Sequence, residues 1–111
     1  MQKRSNEHQV RVNRALRRAV TAPRLEWEER VLLGAAEAAE ACVAPALRPL
    51  VACAVADKAA DVLRTAESVG SVRIAVAEAL ASVGLVAQVP EHVAGRLAWR
   101  LVFDLWGGPD R

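Results

Sequence analysis

Aromatic residues are scarce in this chain of 111 residues. Trp27, Trp99, Phe103 and Trp106 are the whole set, and tyrosine is absent. Cysteine occurs only twice, at Cys42 and Cys53, which excludes a disulfide scaffold. The longest stretch without a charge, Ala79 to Pro90, is twelve residues. A bilayer span needs roughly 20 apolar residues, so no transmembrane helix is expected. The N-terminus is basic but has no apolar run before Arg11, which is not the pattern of a secretory signal. A cytoplasmic protein is the expectation. Histidine is as rare as cysteine: His8 and His92 have no second histidine or cysteine at metal-ligand spacing. CxxC, HExxH, Gly-x-Ser-x-Gly and a glycine-rich phosphate loop are all missing. No catalytic residue, metal, cofactor or small-molecule substrate is therefore expected, and the chain reads as non-enzymatic. Its few titratable candidates are Glu37, Glu40, Asp57, Asp61 and His92, and solvated helix faces account for the acids.

What the chain does contain is alanine, valine and leucine, at 23, 16 and 12 residues. Hydrophobic residues make up 53% and charged residues 25%, enough apolar surface to offset the entropy of ordering one domain. Alanine is the strongest helix former and lets helix axes approach closely. No segment alternates with period two for the length of a strand. The pattern predicts an all-α fold, a compact bundle of four to five helices with short loops.

Five segments carry that pattern. The first spans about Ser5 to Val20, with Val12, Leu16, Ala19 and Val20 as its apolar stripe and Pro23 ending it. The second runs from about Arg24 to Val43. Glu26, Glu28 and Glu29 sit in its first turn, where the helix dipole favours acids, and Glu26 can pair with Arg30. Pro45 and Pro49 mark a break. The third segment follows from about Ala46 to Ala66, with Leu47, Val51, Ala54, Val55, Val62 and Ala66 facing inward. Gly70 suits a left-handed cap and Ser71 the N-cap of the fourth segment, Val72 to Val83, which Gly84 ends. Pro90 opens the fifth, which runs to Trp106, and Gly107-Gly108-Pro109 stops it. Cys42 and Cys53 are expected as small core residues with free thiols.

Two segments carry more than a bundle needs. Residues 1–24 hold seven basic side chains against Glu7 alone, whereas the remainder holds eight basic against twelve acidic. Residues 1–23 thus form a basic amphipathic helix, or arm, leading into a helical bundle at 24–111, within one domain. Arg11, Arg14, Arg17 and Arg18 share a side of that helix, where they would meet a polyanion or an acidic protein surface. The fifth segment is apolar around most of its circumference. Trp99, Val102, Phe103 and Trp106 form one stripe, and Leu97, Ala98, Leu101 and Leu105 another. Only Arg96, Arg100 and Asp104 supply a polar edge, with Arg100 and Asp104 spaced to pair along the helix. Such a helix is either the centre of the bundle or a contact surface for a partner.

The expected function is a helical protein–protein interaction module, a small regulator, adaptor or assembly subunit that self-associates. Trp99, Phe103 and Trp106 would be its anchors, with Arg96 and Arg100 at the rim. The alternative is a protein that binds DNA or RNA through the four arginines. A helix-turn-helix built on segments four and five is disfavoured. Its turn, Gly84 to Val89, is six residues, and its second helix is apolar where a recognition helix is polar.

Overall fold

A computed structural model describes the backbone of residues 3–21 and 24–106 and the side chains of residues 7–21 and 24–105. It is an all-α bundle of five helices, with no strand among the described residues. These are α1 (Lys3–Thr21), α2 (Trp27–Cys42), α3 (Arg48–Thr65), α4 (Val69–Ser82) and α5 (Glu91–Trp106). A single 3₁₀ turn, Pro45–Leu47, precedes α3. Helices α2, α3, α4 and α5 each pack on the next, and α5 returns to α2 to close a ring. Helix α1 lies against α2 and α3. The molecule measures 39 × 38 × 22 Å, so it is about two helix diameters thick.

Helix α3, not α5, is the centre of this arrangement. It touches α1, α2 and α4, and Val51 to Ala56 are six buried residues in a row. Five alanines and a cysteine among its nine buried positions keep it thin enough to be surrounded. Val62, expected inside, is exposed, because no helix covers that flank of α3.

Several boundaries differ from expectation for local reasons. Helix α2 begins at Trp27 rather than Arg24, with extended Glu26 as its N-cap. Trp27 is fixed from outside its own helix: Nε1 donates to the Ala60 carbonyl at 2.7 Å. The guanidinium groups of Arg30 and Arg64 lie 5.4 and 5.9 Å from its ring. Arg30 is therefore over the indole rather than paired with Glu26. Pro23 lies outside the described residues. Helix α3 starts at Arg48, two residues later than expected, because Pro45 first winds a 3₁₀ turn closed by Leu47 N–H on the Ala44 carbonyl.

Helix α4 begins earlier than expected. Ser68, not Ser71, is its N-cap: the Ser71 amide donates to Ser68 Oγ at 3.1 Å, three residues on, as capping requires. Gly70 is thus in the first turn and caps nothing. At the other end Gly84 has φ +77°, the left-handed conformation that favours glycine. The Leu85 amide reaches the Leu80 carbonyl and the Gly84 amide the Ala81 carbonyl, a Schellman closure. Val83 sits in this closure and is exposed. Leu85 and Val89 anchor the connector in the core, and the Pro90 carbonyl accepts from Val93 and Ala94 to start α5.

Candidate functional site

Helix α5 divides its residues between two faces. Ala94, Leu97, Ala98, Leu101, Val102 and Leu105 are buried, facing α2 and α4. Gly34 of α2 lies against this face of α5. A Cβ there would lie 3.4 Å from Leu101 Cδ2 and 3.6 Å from Leu105 Cδ2.

The opposite face is open. Trp99 is 47% exposed and Phe103 57%, although each is a side chain that gains most from burial. Their rings touch, with centroids 5.6 Å apart and planes tilted by 55°. Together they wall a groove of about 400 Å³ between α5 and the end of α2. Arg96, Arg100 and Asp104 line it from α5, and Ala41 and Cys42 from α2. Four of the five residues expected to form the contact surface are thus together: Trp99, Phe103, Arg96 and Arg100. The side chain of Trp106 lies outside the described residues, as do Gly107 to Pro109. Ala41 and the half-buried Cys42 were not anticipated in this role, because nothing in their own segment shows that α5 passes beside them. Arg100 and Asp104 do not close the expected pair along the helix; none of the ion pairs among the described residues involves either.

The basic helix has a different fate. Its buried residues are Val12 and Ala15, whereas Leu16, Ala19 and Val20 are exposed, Val20 by 86%. The helix is rotated from the expected stripe, and two of its charges meet partners on the bundle. Arg11 makes a two-pronged pair with Asp57 of α3, donating from Nη2 to Oδ1 at 2.7 Å and from Nη1 to Oδ2 at 3.0 Å. Glu28 lies 3.9 Å from the same guanidinium. The hydrogen bonding to Asp57 raises the Arg11 pKa further above its already high value. Arg18 Nε meets Glu29 Oε2 at 2.7 Å. Two of the four arginines are therefore engaged by the chain's own acids. Arg14 and Arg17 are exposed and have no ion-pair partner among the described residues.

Beneath α1, Cys53 is buried with Sγ 3.9 Å from the His8 carbonyl, and burial pushes its thiol pKa up. Both cysteines are free. A second groove, of about 630 Å³, runs between α1, α2 and the start of α3, where Leu16, Leu33, Glu37, Glu40 and Arg48 face one another. It collects two of the five titratable candidates, Glu37 and Glu40. Asp57 is held by Arg11, and Asp61 and His92 are exposed on other helices. Among the described residues, no three of the His, Cys, Asp and Glu side chains group as metal ligands. No described helix is long and apolar enough to cross a membrane.

Comparison with models of protein families, with curated proteins and with solved structures found no match for this chain.

Proposed function

We propose that this chain is a non-enzymatic helical interaction module that self-associates through the outward face of α5, serving as a regulator or as a subunit of an assembly. One observation carries the reading. The two largest side chains described on α5, Trp99 and Phe103, meet in a tilted contact at the surface and line a groove instead of joining the core. Apolar area left in water by the fold is area a partner can remove, and aromatic anchors with arginine at the rim are the side chains enriched at such contacts. Arg96 and Arg100 supply that rim. The two free thiols suit a reducing compartment, which is the basis for assigning the protein to the cytoplasm.

Sedimentation velocity over a range of concentrations tests this. The native chain is expected to sediment as a dimer or larger species that dissociates on dilution. Trp99→Ala and Phe103→Ala should each weaken association by about 1–3 kcal/mol, as truncation of an interface anchor does. If both variants assemble like the native protein, α5 is not the contact. A chain that stays monomeric and binds duplex DNA through Arg14 and Arg17 would replace this reading with the nucleic-acid alternative.

A further inference from the structure

The exposed face of α5 has a pattern that selects its own occupant. Each helical residue advances 100° and 1.5 Å. On that spacing Trp99 and Phe103 fall on one flank of the exposed stripe, and Arg100 and Asp104 on the other. The members of each pair are four residues, about 6 Å, apart. One flank is thus two aromatic rings in sequence and the other a cation followed by an anion.

We propose that the occupant is a second copy of the chain, related by a two-fold axis that sets the exposed stripes of the two α5 helices antiparallel, with the axis level along the helix with residues 101 and 102. This rests on the reading of α5 as the contact surface and adds the orientation. A two-fold axis perpendicular to the plane of two antiparallel helices keeps like flanks together and reverses their order. Trp99 of one copy then meets Phe103 of the other, and Arg100 of one meets Asp104 of the other, each contact occurring twice. The charges are complementary only in this sense of the helix. A parallel pairing turns the aromatic flank of one copy onto the charged flank of the other, so Arg100 and Asp104 lose water without gaining an opposite charge.

Three observations support the antiparallel arrangement. Arg100 and Asp104 are correctly spaced to pair within α5, yet they leave that pair open and both are exposed. The groove beside Trp99 and Phe103 is walled on the α2 side by Ala41 and the partly buried Cys42, which leave room for the aromatic pair of another copy. The aromatic rings lie against the same groove as both charges, so one contact covers all four side chains.

The test is a charge swap on the full chain, read by sedimentation velocity, with circular dichroism to confirm that each variant folds. Arg100→Asp and Asp104→Arg should each weaken the dimer about tenfold or more, since each places like charges across both pairs. The double variant should recover affinity to within about threefold of native, because it restores opposite charges with their positions exchanged. Mixing the two single variants should give a heterodimer stronger than either variant alone. If the double variant and the mixture stay as weak as the singles, the antiparallel register is wrong. If Trp99→Ala still weakens the native dimer in that case, α5 remains the contact surface. A native chain that is monomeric throughout overturns both the register and the surface.

Discussion

Helices α1 and α5 each begin with more of one kind of side chain than a surface helix needs. In α1 the excess is positive charge; in α5 it is large apolar area. Folding treats the two differently. The charge of α1 is partly consumed inside the molecule, by Asp57 on Arg11 and by Glu29 on Arg18. The apolar excess of α5 is only half consumed: one stripe enters the core and the other keeps Trp99 and Phe103 in water. A surplus in the sequence is thus an ambiguous sign of function. The portion left after intramolecular partners are satisfied is the portion a second molecule can use. Among the described residues that remainder is Arg14 and Arg17 for α1, and a paired aromatic surface for α5.

The sharpest way to break this contrast is to substitute the two faces of α5 separately. Leu101 is 1% exposed and packs against Gly34, so Leu101→Ala should cost about 2–5 kcal/mol of stability. Trp99→Ala, measured by urea unfolding of dilute monomer, should cost about 1 kcal/mol or less, since nearly half of that side chain is already in water. Its loss should appear in association instead. Equal destabilisation by the two substitutions would mean that both faces belong to the core and that α5 has no surface to offer.

Much of this was legible in the sequence. The five helices follow from apolar periodicity and from Pro45, Gly84 and Pro90, each of which acts at a helix end where local chemistry decides. The clustering of Trp99, Phe103, Arg96 and Arg100 follows from their spacing on one helix. The part that was not legible is long-range. Asp57 is 46 residues from Arg11, and nothing in either segment says that they meet. The face that α1 turns to the bundle carries Val12 and Ala15, not Leu16 and Val20, and its match to α3 is a property of both segments together. The start of α2 was lost for the same reason, since Trp27 is fixed by Ala60, 33 residues away. Helix α5 reads as a candidate centre because it is apolar around most of its circumference. The true centre, α3, is buried through alanines, which carry little hydrophobic signal per residue but allow neighbours on three sides.

A smaller effect is expected where α1 meets the body. The Arg11–Asp57 pair has favourable two-pronged geometry, but its side chains are 34% and 48% exposed. Water and salt screen it, so its coupling energy should be about 0.5–1 kcal/mol. A double-mutant cycle with Arg11→Ala and Asp57→Ala, followed by urea unfolding, measures it directly. Raising salt should shrink the coupling. A value near zero would leave α1 held by Val12 and Ala15 alone and would return Arg11 to the set of arginines open to a polyanion.

The smallest expected effect reports the same docking from beneath. Cys53 sits under α1, and burial raises its thiol pKa above the ordinary value of 9.0, against the opposing pull of the Arg11 cation. A thiol raised in this way stays neutral in the fold while the unfolded chain ionises. Its contribution to stability is therefore fully present below pH 9.0 and is lost as pH rises from there through the folded value. In a Cys42→Ser background, thiolate absorbance of the folded chain should rise at higher pH than that of the chain unfolded in urea, and stability should decline over the interval between the two titrations. Replacing Val12 with a charged residue should undock α1, bring the Cys53 titration down towards 9.0 and remove that decline. A thiol that already titrates at its ordinary value in the parent would mean that α1 does not cover Cys53 in solution. Both helices would then carry an unsatisfied surplus, and the basic face of α1 would have the same standing as the aromatic face of α5.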